Sequence, residues 1–184
     1  VLIVLTADHG VAPLPDWAAS AMRYDAGREN TDVLIAAANA ALAERFPDKN
    51  TEALVLGFND PYMVFNLPRM MERGIDVRAA REAVAERLRM IGSVKAVYTR
   101  DQIATGQLHP SPISQKIANG FHHQRSGDVF VLFNPFIYAS RSKAGVSHGS
   151  AYNYDTQVPI LIAGPTIRPG FYTEPADVRD IAPT

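Results

Sequence analysis

Five apolar residues, Val1-Leu-Ile-Val-Leu5, run without interruption into Thr6-Ala-Asp-His-Gly10. A short, continuous apolar run bounded by a turn signal is the mark of a strand buried on both faces of a parallel sheet. Such sheets carry helices on their faces, and they place ligands outside the carboxyl ends of their strands. Asp8 and His9 therefore stand where chemistry usually sits. An adjacent carboxylate and imidazole can ligate one metal from a strand end, because a sharp turn lets both face the same crevice. Gly10 permits that turn. The commoner roles for these residue types are a helix-capping Asp and a hydrogen-bonded His, and both readings stand at this point.

Composition narrows the class without naming a chemistry. The 184 residues suit one domain with a sizeable core, and 47% hydrophobic with 20% charged residues is globular composition. A net charge of −1 gives no reason to expect a nucleic-acid or membrane-surface partner. The absence of cysteine excludes disulfides, thiolate metal sites and a cysteine nucleophile. No apolar run approaches the roughly 20 residues of a membrane span, and no signal peptide is visible. The chain opens inside a strand, without Met or a polar lead-in. It ends where a helix is about to begin, with Asp180 or Thr184 as its cap. It is expected to be an excised piece of a longer chain.

Along the chain, two prolines in Val11–Pro15 make a rigid loop before a short helix near Trp17–Met22, and 23–29 reads as polar loop. Asn30 or Thr31 caps a helix through about Phe46, with Val33, Leu34, Ala37, Ala38, Ala41 and Leu42 at helical spacing. Strands over 53–58 and 62–67 around Asn59-Asp-Pro61 predict an antiparallel hairpin. Asp76 caps a helix over about 77–91, and Val94–Thr99 is a strand. Residues of about 50–100 thus suggest a small α+β insertion. Short helices over about 101–105 and 113–120 precede the strands Asp128–Phe133 and Phe136–Ala139. A long polar stretch, 140–155, leads to the strand Val158–Ala163. The expected fold is α/β, a mostly parallel sheet flanked by helices, with that insertion inside it.

Three histidine positions bear on function. His9 follows a strand, His122-His123 lies in a loop before a strand, and His148 lies in a Gly/Ser-rich loop before the strand 158–163. Loops at strand ends can converge, so His9 and His148 could share a site, although their spacing does not require it. Adjacent residues rarely both face one site, so solvent or partial burial is the commoner fate of His122 and His123. His109, beside Pro110, reads as surface. Gly145-Val-Ser-His-Gly149 spells a nucleophile elbow but has no strand just before it and no helix just after it, so it is not read as one. Arg23, Arg28, Arg125, Arg141 and Lys143 could meet a phosphate, but solvated surface is the usual fate of such residues.

The strand followed by Thr6-Ala-Asp-His-Gly10, then His148-Gly-Ser150 and Tyr154-Asp-Thr-Gln-Val-Pro-Ile-Leu-Ile-Ala-Gly164, resembles the alkaline phosphatase superfamily. More narrowly it resembles the metal-dependent phosphatases grouped with type I phosphodiesterases and nucleotide pyrophosphatases. Arg125–Pro135 fits the alkaline phosphatases of that branch. The resemblance spans residues 1–184 as the C-terminal part of one catalytic domain. It implies two zinc ions that clamp the attacking and leaving oxygens of a phosphate ester. Asp8 and His9 resemble ligands of the zinc that activates the nucleophile, and His148 a ligand of the zinc that stabilises the leaving group.

The nucleophilic Thr or Ser and the remaining ligands are expected upstream, and Thr6 is not that nucleophile. The resemblance therefore implies a phosphate monoesterase working through a phospho-Thr or phospho-Ser intermediate in the intact protein. Its substrate would be a small phosphate ester, and this chain's partner would be the other half of the same domain. Phosphodiesterase activity is the alternative, and a non-catalytic domain is the reading from a different class. A periplasmic or secreted location follows from the resemblance. Sulfatases usually carry Asn where His9 stands, and the cofactor-independent phosphoglycerate mutases fit the Tyr-Asp-Thr-Gln-Val-Pro context less well.

Overall fold

The computed structural model describes residues 1–182, so Thr184 as a helix cap lies outside the described residues. In chain order the elements are β1 (Ile3–Leu5), α1 (Pro15–Ser20), β2 (Gly27–Glu29), α2 (Thr31–Arg45), β3 (Val55–Asn59) and β4 (Tyr62–Phe65). They continue with α3 (Leu67–Glu72), α4 (Val77–Arg89), β5 (Val94–Thr99), α5 (Arg100–Ala104), α6 (Pro112–Gly120) and β6 (Val129–Phe133). The last are β7 (Ile137–Ala139), α7 (Asn153–Thr156) and β8 (Leu161–Ala163), followed by a 3-10 turn over Val178–Asp180 that Asp177 caps.

The main sheet has four strands in the order β3-β4-β6-β5. All five residues of β6 are buried. Side chains alternate across a strand, so Val129, Val131 and Phe133 face one core while Phe130 and Leu132 face another. The first core is closed by α2 and α4 through Leu34, Leu42, Val84 and Leu88. The second is closed by Ile103 of α5, Ile117 of α6 and Ala151. Residues 50–100 do not complete a core alone: α2 before them and β6 after them belong to it.

The helices follow their sequence signals. The Asn30 side chain accepts a hydrogen bond from the Asp32 amide at 2.9 Å, and Asp76 accepts from the Arg78 and Ala79 amides at 2.9 and 3.2 Å. Asp128, at the foot of β6, is a buried anchor. Its Oδ2 accepts from the Phe65 amide at 2.8 Å, and its Oδ1 accepts from Arg81 Nε and Nη2 at 2.9 and 2.7 Å. Arg81 reaches on to Asp101 at 3.2 Å.

The α/β class with helix-flanked sheets is present, but strand direction differs from the expected mostly parallel arrangement. Of the five strand pairings among the described residues, only β2–β7 is parallel. The apolar run of β6 is physically a strand with two covered faces. An antiparallel strand between two helical layers carries the same signature as a parallel one, so the sequence does not reveal direction. The opening strand also differs from expectation. β1 pairs antiparallel with β8 in a separate two-stranded ribbon, and all three of its residues are exposed among the described residues. No helix of the described residues is long and apolar enough to cross a membrane.

Candidate metal centre

The ribbon β1–β8 carries Asp8 and His9 off the end of β1. Asp8 is exposed and His9 half-buried. The Asp8 carboxylate accepts the His9 amide at 3.1 Å through Oδ1, which turns Oδ2 toward the ring. His9 Nε2 lies 3.7 Å from Asp8 Oδ2. His9 Nδ1 lies 2.7 Å from the Gly10 carbonyl oxygen. A carbonyl only accepts, so Nδ1 is the donor of this hydrogen bond, and in the neutral ring it is Nε2 that carries the lone pair.

His148 arrives from the long polar stretch, and its ring stacks on that of His9 with centroids 3.5 Å apart and planes 10° from parallel. Residues remote in sequence thus meet at one place. The polar stretch has a fixed course. Arg28 donates to the Gly145 carbonyl at 2.9 Å and to the Tyr138 hydroxyl at 3.1 Å, and Tyr138 in turn donates to the Gly145 carbonyl. Coil flanks Ser147 on both sides, as the rejection of a nucleophile elbow requires.

Behind His148 lies a cavity of about 30 Å³, enough for a single water, bordered by Ser150, Tyr152, Tyr154, Asp60 and Asp155. Asp155 is 5% exposed, its Oδ2 accepts the Ser150 amide at 2.8 Å, and its Oδ1 is buried without a hydrogen-bond partner. Asp60 is exposed over much of its surface, yet its carboxyl borders this cavity. Loss of water there, and then the charge of Asp155, push it up to about 6. Burial pushes the Tyr152 hydroxyl up to about 12, with Tyr154 adding to the effect.

Gly10 has a different role from the one its sequence suggested. Its φ is not positive; what it supplies is space. A Cβ there would lie 2.1 Å from the Tyr154 carbonyl oxygen. Gly10→Ala is therefore expected to destabilise the chain by about 1–3 kcal/mol as the backbones part. At about 2–4 °C per kcal/mol for a chain of this size, a thermal melt checks it.

The other candidates do not join this place. His109, His122 and His123 are exposed. His122 Nδ1 accepts the Gln124 amide at 3.1 Å, and the His123 carbonyl accepts from Arg100. Arg28 and Arg141 pair with Asp16 and Asp32 at 3.3 and 2.8 Å. Sequence reasoning missed Asp155, whose setting between tyrosines in a polar stretch reads as surface.

As a donor set, two ligands about 2.0–2.1 Å from a tetrahedral zinc lie about 3.3 Å apart, close to the Asp8–His9 separation. Asp155 Oδ1 is a buried oxygen without a hydrogen-bond partner, on a cavity that His148 also borders. Among the described residues no group of three or more His, Cys, Asp or Glu side chains is placed to hold a metal ion, so Asp8, His9 and His148 do not make a complete zinc site by themselves.

No protein-family profile matches the chain. It is 28% identical to alkaline phosphatase PafA of Elizabethkingia meningoseptica over 183 residues, which is 100% of this chain and 32% of that protein. It is 26% identical over 183 residues to a Myroides odoratus protein named calcium-transporting ATPase, covering 99% of this chain and 32% of that protein. It is 29% identical over 195 residues to alkaline phosphatase PhoD of Zymomonas mobilis, covering 100% and 33%. The crystal structure of wild-type PafA superposes with a TM-score of 0.86 at 27% identity, over 100% of this chain and 34% of that one. The chain spans about a third of the length of the relatives it matches.

Proposed function

This chain is a homologue of the alkaline phosphatases and shares their fold, and on that premise we propose that it supplies part of a two-zinc site for hydrolysing phosphate monoesters. The observation that carries the reading is the meeting of His9 and His148, whose rings stack at 3.5 Å from distant parts of the chain. Asp8 and His9 would hold one zinc and His148 the other. Zinc bound there would supply Lewis-acid polarisation of phosphate oxygens.

The chain's own residues prepare the donors. The Gly10 carbonyl fixes the His9 tautomer and leaves Nε2 available. The exposed Asp8 carboxylate leaves an open side through which a substrate oxygen can approach. On this reading the nucleophile and the remaining ligands belong to other parts of the intact protein, and a periplasmic or secreted location accompanies it. The incomplete donor set among the described residues favours a second statement, that the 184 residues alone do not turn over substrate.

The test is a paired assay with zinc added. The intact protein carrying this segment is expected to hydrolyse p-nitrophenyl phosphate faster than its bis-p-nitrophenyl diester. It should stop when zinc is chelated and recover when zinc returns. The isolated chain is expected to show no turnover. Faster diester hydrolysis would move the assignment to a phosphodiesterase, and turnover indifferent to chelation would remove the metal reading.

A further inference from the structure

Asp155 touches both imidazole-bearing loops. Its backbone carbonyl accepts the Gly10 amide at 2.8 Å, one residue beyond His9. Its carboxylate Oδ2 accepts the Ser150 amide at 2.8 Å, two residues beyond His148. The Gly10 carbonyl in turn holds His9 Nδ1 at 2.7 Å. A continuous series of contacts therefore runs from the His9 ring through Gly10 and Asp155 to the backbone just beyond His148. Asp155 has little freedom to yield. It is 5% exposed, and α7, which carries it, is pinned by Lys116, whose Nζ donates to Asn153 Oδ1 at 3.0 Å and to Thr156 Oγ1 at 2.7 Å.

A carboxylate with two oxygens accepts several hydrogen bonds, and here one oxygen makes none. Buried polar atoms are nearly always paired, so an exception calls for a reason. Simple capping of α7 does not account for this carboxylate, because the Tyr152 N-cap makes no side-chain hydrogen bond and Oδ2 of Asp155 is engaged by the Ser150 amide of the His148 loop.

We propose that Asp155 is a positioning residue that sets the separation of His9 and His148. It acts through backbone groups and touches neither ring. The proposal rests on the metal-site reading above for its purpose, but its geometry can be tested without metal. Two neighbouring ligands held within tenths of an ångström lose less freedom when they bind. A loosened pair should therefore bind zinc more weakly without a matching loss of fold.

The experiment compares the metal-free chain with Asp155→Asn, Asp155→Glu and Asp155→Ala. Asparagine retains an oxygen that can accept the Ser150 amide, glutamate keeps the charge but displaces it by one methylene, and alanine removes the acceptor. Nuclear Overhauser contacts between the His9 and His148 ring protons report the stack, competition titration reports zinc affinity, and circular dichroism reports the fold. Wild type and Asp155→Asn are expected to keep the ring contacts, with zinc affinities within about threefold of each other. The Glu and Ala variants are expected to lose the contacts and bind zinc at least about tenfold more weakly.

If Asp155→Ala does not fold, Asp155→Glu decides the matter. Ring contacts and affinity unchanged in Asp155→Glu would overturn the proposal, as would their absence from the wild type. Ring contacts that follow this order while no variant binds zinc would support the positioning role and overturn the metal reading instead.

Discussion

His148→Ala in the intact protein is expected to cut phosphate monoester hydrolysis by at least about 100-fold and to lower bound zinc, with Asp8→Ala and His9→Ala doing the same. The reason is the donor geometry. His9 Nε2 and Asp8 Oδ2 lie 3.7 Å apart, and the His148 ring lies against that of His9. On the proposed assignment, each substitution would take from one of the two zinc ions a ligand that this chain supplies. Asp8 and His148 are exposed, so their loss should not unfold the chain. Zinc content by atomic absorption and kcat/KM for p-nitrophenyl phosphate check the prediction together. Full activity with unchanged zinc in all three variants would refute the assignment.

Asp128→Ala should produce the largest loss of stability. Asp128 is 5% exposed and accepts hydrogen bonds from the Phe65 amide and from two nitrogens of Arg81. Alanine leaves the Arg81 guanidinium largely buried, with Asp101 as its remaining ion-pair partner among the described residues. Stranding one partner of a buried ion pair costs about 3–5 kcal/mol, against a total of about 5–15 kcal/mol for most domains. Urea unfolding should show a lower midpoint with an unchanged slope. A loss below about 1 kcal/mol would show that water already reaches the Arg81 side chain.

The sequence was most informative where a periodicity and a cap coincided. α4 begins where Asp76 marks it, and α2 takes Asn30, one of its two expected caps, because an N-cap side chain satisfies amides left without a partner inside the helix. β5 falls on the expected residues, 94–99. Three elements gave no usable signal. β2 is Gly-Arg-Glu, which has no apolar alternation and is a strand only through its pairing with β7. α3 follows the expected strand at Leu67 directly, and Pro68 at its start looks like a strand terminator. α7 sits inside a polar stretch and is held by Lys116, a contact from distant sequence.

The candidate site divides in the same way. Asp8 and His9 were legible because a strand end and its residue types are local features. The meeting of His9 with His148 was open from spacing alone, which does not bring loops together, and was expected only from the family resemblance. Asp155 stayed hidden for a related reason. Its burial depends on the approach of the Gly10 backbone, and nothing near it in sequence reports that.

The two-sided burial of β6 has a mechanical consequence. A strand shared by two cores joins them, so the four-stranded sheet and its two helical layers are expected to open as one cooperative unit. The imidazole pair belongs to the margin of that unit, on a two-stranded ribbon and a coil segment. Local breathing of the ribbon can therefore change the ligand geometry with the sheet intact. On the proposed reading, metal affinity and global stability would be separable properties of the molecule, free to be altered one without the other.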